Sequence, residues 1–165
     1  MKTKIFLITP PFTQLNTPYP ATAYIKGFLN TKNMESIQAD LGIEVILELF
    51  SKTGLEKLFQ VQSEQFTIEE LSPNSQRIVA LKDEYIKTID SVITFLQGKN
   101  PTLALQICQE DFLPEAFRFS QLGEMDWAFG TMGTQDKAKH LATLYLEDIS
   151  DFIVECVDEN FGFSR

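Results

Sequence analysis

The chain has little of several things that define function. It holds two cysteines and one histidine in 165 residues. Cys108 and Cys156 are far apart, so neither a disulfide framework nor a clustered thiolate site follows from them. A cysteine-rich secreted scaffold is excluded. Positive charge is also scarce, with 14 Lys and Arg against 23 Asp and Glu and a formal net charge of −9. No basic stripe forms, so a nucleic-acid backbone is repelled rather than gripped. No run reaches the roughly 18 to 20 apolar residues that a membrane span needs. The opening MKTKIFLITPPF has no signal-peptide cleavage site, which leaves a cytoplasmic location as the expectation. GxSxG, Walker and GxGxxG patterns are absent, so acyl transfer and nucleotide hydrolysis have no support.

What is present is an ordinary globular composition, 44% hydrophobic and 22% charged, with an excess of phenylalanine, 14 copies. A single domain of this length can bury about two-thirds of its unfolded surface. The phenylalanines supply apolar area for a core, or a few rings for a partner.

Residues Ile5 to Thr9 are almost uninterruptedly apolar and β-branched, which suits a short strand buried on both faces and stopped by Pro10-Pro11. After a turn-rich stretch, Ala21 to Leu29 sets Ala21, Tyr24, Ile25, Phe28 and Leu29 on one helical face. Glu35 to Asp40 reads as a second strand. Ile43, Ile46, Leu47 and Phe50 then repeat at helical spacing, with Gly54 as the expected break. Beyond Gly54 only helical patterns follow: Leu55 to Val61, Ser75 to Gln97, Pro101 to Gln109, Pro114 to Phe119 and Gln135 to Asn160.

The predicted fold is therefore α/β, a short N-terminal parallel β-α-β unit, Rossmann-like but truncated, followed by a mostly helical remainder. It is expected as one domain, with residues 1–54 as the β-α-β-α part and residues 55–165 as the helical part. The stretch from Gln121 to Gly133 reads as a loop of about a dozen residues, a length that is uncommon unless functional. Trp127, Phe129 and Met132 in it are expected to form a lid or docking surface.

The segment IFLITPPFTQLNTPYPATAYIKGFL resembles the opening of the cobalamin-binding domain that precedes the radical SAM barrel in many bacterial Fe-S oxidoreductases. In that family a strand ends in a Pro-Pro turn, a proline-containing loop opens a helix bearing Tyr-Leu, and a second strand ends in Asp. Pro10 and Pro11 match the turn, Pro18 or Pro20 the helix-opening proline, Tyr24-Ile25 the helix pair and Asp40-Leu41 the end of the second strand. The match covers about the first 50 residues. It implies an N-terminal portion of a longer radical SAM protein, with Thr9, Pro10, Pro11, Phe12 and Asp40 as corrinoid-contacting residues and the C-terminal radical SAM barrel of the same parent chain as partner. The [4Fe-4S] cluster and S-adenosylmethionine are expected only in that full-length parent.

Three departures qualify the resemblance. Ala21 and Thr22 stand where the family usually has glycine at the helix opening. The later strands that complete the sheet have no visible counterpart. The CxxxCxxC signature is missing, and two isolated cysteines cannot hold a cluster, so this chain alone is not expected to be a catalyst. A different class of reading is a helical interaction or regulatory domain that has lost cofactor binding.

Other candidate residues have plainer readings. Cys108 and Cys156 are more often small core residues than ligands. His140 lacks ligand-spaced neighbours, and the Asp-x-His-x-x-Gly lower-ligand motif is missing, so a surface histidine is expected and no metal site. The carboxylates Glu147, Asp148, Asp151 and Glu155 read as a solvated stripe along the last helix.

Overall fold

The computed structural model describes residues 4–11, 20–109, 111–124 and 133–162. Its order is strand, helix, strand, then helices. Strand β1, Ile5–Thr9, pairs in parallel with β2, Ser36–Asp40, and helix α1, Ala21–Thr31, connects them. The register sets Ile5 against Ser36 and Thr9 against Asp40. A parallel pair needs a crossover, and α1 supplies it. Pro20 opens α1 at the N-cap. The helix ends where Asn33 takes a left-handed φ of 53°. The Asn33 N–H bonds the Asn30 carbonyl and the Met34 N–H the Leu29 carbonyl, the paired bonds of a Schellman stop. Helix α2, Leu41–Leu49, follows β2 without a loop.

The remaining helices are α3 (Lys52–Gln65), α4 (Pro73–Ala80), α5 (Lys82–Leu96), α6 (Ala104–Ile107) and α7 (Thr134–Cys156), with 3-10 turns at Ile68–Glu70, Pro101–Leu103 and Phe117–Glu124. The α/β expectation holds: a two-stranded parallel sheet at the N-terminus, then helices. The described residues up to Glu48 form one compact unit, and Leu49–Gly162 the other.

Local details correct the sequence reading. Gly54 does not break a helix; it lies in the first turn of α3, where its N–H donates to the Ser51 Oγ at 3.0 Å. The break falls at the capping serine instead. The segment Ser75 to Gln97, expected as one helix, is two, because Leu81 leaves helical geometry at φ −100° and ψ 18° between α4 and α5. Gly98 at φ 72° ends α5 as expected. Its N–H bonds the Phe95 carbonyl and the Lys99 N–H the Thr94 carbonyl, so a residue without Cβ occupies the left-handed position. Pro114 to Phe119 is not a helix throughout, since the 3-10 turn starts only at Phe117. That turn takes in Gln121 to Glu124, the start of the expected loop, while Trp127, Phe129 and Met132 lie outside the described residues.

The helical unit carries the core. Phe50, Leu55, Ile78, Tyr85, Ile89, Val92, Ile107, Tyr145, Ile149, Phe152 and Ile153 are almost fully buried. Tyr85 and Tyr145 stack with centroids 5.1 Å apart, and Phe59 meets Phe152 at 5.1 Å. The Tyr145 hydroxyl is shared with Thr88 at 3.0 Å and donates to the Tyr85 carbonyl at 3.0 Å, so a polar atom in the core is satisfied. Among the described residues no helix is long and apolar enough to cross a membrane.

The N-terminal unit is different. Among its described residues only Thr9, Thr22, Leu29 and Gly42 are buried. On α1, Tyr24 is 79% and Phe28 60% exposed; on the sheet, Phe6 and Ile37 are each 57% exposed.

Candidate functional site

In an open parallel sheet, ligands approach the carboxyl ends of the strands. Here that rim consists of Thr9 and Asp40, which the register places side by side. Two of the expected contact residues are thus brought together. Pro10 is exposed and Pro11 half-buried just beyond Thr9. Phe12 lies outside the described residues.

The rim residues already have internal partners. Thr9 is 1% exposed, and its Oγ1 lies 3.5 Å from the Oγ1 of Thr22. The Gln38 side-chain amide donates to that same Thr22 hydroxyl at 2.9 Å. Thr22 therefore faces the sheet and ties α1 to both strands, rather than projecting over the rim. Asp40 accepts the Ile43 N–H at 3.2 Å, capping the first turn of α2 where a carboxylate is favoured by the helix dipole.

A second feature of the N-terminal unit lies outside the expected contact residues. Pro20, Ala23, Tyr24, Gly27 and Phe28 line an open groove of about 390 Å³ along α1. These positions share one helical face, opposite Thr22 and Leu29. A Cβ added at Gly27 would meet nothing within 4 Å. The signal was legible: α1 is apolar on both sides, and a helix apolar all round is normally buried.

The carboxylates of α7 also correct an expectation. They are not a solvated stripe. Asp148 is fully buried and Glu147 nearly so. Asp148 accepts the backbone N–H groups of Ala116 at 3.2 Å and Arg118 at 3.0 Å. The Arg118 guanidinium grips Asp151 through two bonds of 2.7 Å and lies 3.9 Å from Glu147. Burial pushes Asp148 up to about 6 against the two backbone donors that favour its charged form. Further along, Glu155 accepts from the Ser72 N–H, the Ser72 hydroxyl and the Ser75 hydroxyl at 2.6, 2.6 and 2.5 Å. Burial raises Glu155, but these donors outweigh it and hold the carboxyl below its ordinary range. Both carboxylates are fasteners: Asp148 fixes the segment around Ala116 to α7, and Glu155 fixes the start of α4.

Cys156 is buried and its thiol pushed up to about 11 by burial. Cys108 is half-buried, with its Sγ 3.6 Å from the Thr134 carbonyl, and burial raises its thiol as well. Both cysteines keep their protons. His140 is half-buried rather than a surface residue, because α7 is covered along most of its length.

The described residues of the rim do not by themselves fit the corrinoid that the resemblance implies. Among the described residues no cluster of three His, Cys, Asp or Glu side chains could hold a metal ion. A corrin needs a platform wider than one pair of strands about 4.8 Å apart, and the Thr9 hydroxyl and one Asp40 oxygen already bond within the unit. No family model, curated protein or solved structure matches the chain.

Proposed function

We propose that this chain is the N-terminal, cobalamin-binding-type portion of a cytoplasmic radical SAM enzyme, and that its task is to position a corrinoid or a partner beside a cluster-bearing barrel. The observation that carries the reading is the parallel β1-α1-β2 unit with Thr9 and Asp40 abreast at its carboxyl rim, directly before Pro10-Pro11. The [4Fe-4S] cluster and S-adenosylmethionine belong to the barrel in this reading, and no chemical step is assigned to the residues described. The excess of negative charge leaves nucleic acid out of it.

A second reading is favoured by the internal bonds of Thr9 and Asp40: an interaction or regulatory domain that keeps the β-α-β unit without its cofactor. Hydroxocobalamin titration followed by visible spectroscopy separates the two. A saturable spectral change, weakened when Thr9 and Phe12 are altered, supports the corrinoid. Without saturable binding by this chain or by the protein that contains the barrel, the interaction reading stands alone.

A further inference from the structure

The 3-10 turn that begins at Phe117 starts without a local cap. Its first N–H groups have no partner within the turn, and Ala116, the residue before it, has no side-chain acceptor to offer. The acceptors come from distant helices instead. Asp148 of α7 takes the Ala116 N–H at 3.2 Å with one carboxylate oxygen and the Arg118 N–H at 3.0 Å with the other. Asn74 of α4 takes the Phe117 N–H at 3.0 Å, and the Arg77 Nε donates to the Glu115 carbonyl at 2.6 Å. Four successive residues are thus fastened through their main chain by side chains of two helices. Closure also buries polar groups at a cost. Asp148 is fully buried, and the Tyr85 hydroxyl is buried with no hydrogen-bond partner among the described residues. Asp148, Arg77 and Glu115 are the charged groups that act on that hydroxyl, so it sits against the same fastenings.

We propose that residues 115–118 form a strap that swings off α4 and α7 as one piece while the helices stay folded, with the charge on Asp148 setting how often it does so. Opening admits water to the Asp148 carboxylate and the Tyr85 hydroxyl, which offsets part of the loss of the fastening bonds. A segment held by a few tertiary bonds opens at a lower free energy than the core around it. The pH dependence has a definite sign. In the closed strap burial pushes Asp148 up to about 6 from the ordinary 3.8, against the Arg118 and Ala116 N–H groups. Opened to water, the carboxyl returns to its ordinary value, so the closed strap binds the proton more tightly and is tightest in acid. It loosens as pH rises from the ordinary value towards about 6 and changes little above that. Among the groups facing Asp148, Arg118 of the strap stays cationic and Tyr85 of α5 keeps its proton through burial. Asp151 and Glu147 share Arg118 with it on α7, while Arg77 of α4 and Glu115 of the strap act on Tyr85.

Amide hydrogen exchange of the chain, read residue by residue by NMR and corrected for intrinsic rates, tests the strap. The Ala116, Phe117 and Arg118 amides are expected to share one opening constant, at least about tenfold larger than that of the Val92 and Ile149 amides in the core helices. Between pH 5 and 7.5 that constant is expected to rise about tenfold, and Asp148→Asn to remove the rise. Asn74→Ala takes away the acceptor of the Phe117 N–H alone, yet is expected to speed exchange at all three amides about fivefold. This milder variant and the wild-type pH series keep the proposal open to refutation if Asp148→Asn does not fold. A response to Asn74→Ala confined to Phe117 would overturn the proposal, as would exchange of the three amides at the rate of the core. An opening constant that does not rise between pH 5 and 7.5, or rises equally in Asp148→Asn, would overturn it too.

Discussion

The two units solve the problem of burying apolar surface in opposite ways. Leu49–Gly162 brings together α3, α4, α5 and α7 so that Tyr85, Ile89, Val92, Tyr145 and Phe152 are each almost fully buried. The preceding unit has just as apolar a sequence in β1, α1 and α2, but its large side chains point outward: Phe6, Ile8, Tyr24, Ile25, Phe28, Ile37 and Ile43. A two-stranded sheet with one crossover helix has too few layers to cover both of its faces. The helical unit owes its cohesion to its own residues, and the β-α-β unit keeps much of its apolar surface exposed.

The most direct way to break this comparison is to hollow each unit. Phe152→Ala removes a ring that is 1% exposed and packed on Phe59, and is expected to cost about 4 kcal/mol in urea unfolding. A loss under about 1 kcal/mol would show that the helical core is far looser than its burial indicates.

Smaller effects come from the polar fasteners. Glu155→Ala removes the acceptor of three bonds from Ser72 and Ser75. A loss of about 2 kcal/mol is expected, since bonds to a charged acceptor are the stronger class. Because the Glu155 carboxyl is held below its ordinary range, its contribution is present above that range and lost as pH falls through the lowered value.

Asp148 has the opposite sign. Its folded value of about 6 lies above the ordinary carboxylate 3.8, so the fold binds the proton more tightly than the unfolded chain does. The stability it adds is present below the ordinary value and lost as pH rises through about 6. Between pH 5 and 7.5 the wild type should lose of order 1 kcal/mol from this group, and Asp148→Asn should flatten that slope. An unchanged slope in the variant would place the titration elsewhere.

How far these arrangements could be read from the sequence depends on the kind of signal. Period and punctuation suffice to place β1, β2, α1 and the stop at Gly98, because a local conformation follows from local residues, but the expected burial of β1 on both faces fails, since Phe6 and Ile8 are 57% and 43% exposed. The kink at Leu81 was not legible, since the apolar spacing of Ile78, Leu81 and Tyr85 continues across it. Asp148 was legible in principle: it sits three residues after Tyr145 and four before Phe152, on the apolar face of α7. The charge pattern alone reads it as solvated, because its partners, the N–H groups of Ala116 and Arg118, are backbone atoms some 30 residues away that no side-chain pattern announces. At the candidate site, adjacency of Thr9 and Asp40 follows from parallel pairing. The inward turn of Thr22 toward Gln38 does not, because it depends on how α1 is rotated over the sheet.

The smallest expected effect is the one that sharpens the comparison most. Tyr24 and Phe28 flank the groove on α1 and are 79% and 60% exposed. Truncating a side chain that stays in water in both folded and unfolded states changes little, so Tyr24→Ala and Phe28→Ala should each shift unfolding of the chain by less than about 0.5 kcal/mol. The Lys32 ammonium lies 5.5 Å from the Phe28 ring, and an exposed cation-π pair contributes only about 0.5 kcal/mol. The contrast with Phe152→Ala, about eightfold larger in free energy, would express the division between the units in one measurement. If Phe28→Ala instead cost 2 kcal/mol or more at micromolar protein, the ring would already be covered in solution. Sedimentation equilibrium of the wild type would then show whether a second copy covers it, by a mass that rises with concentration. A mass that stays monomeric would leave cover within the chain itself, and the comparison between a closed and an open unit would fall.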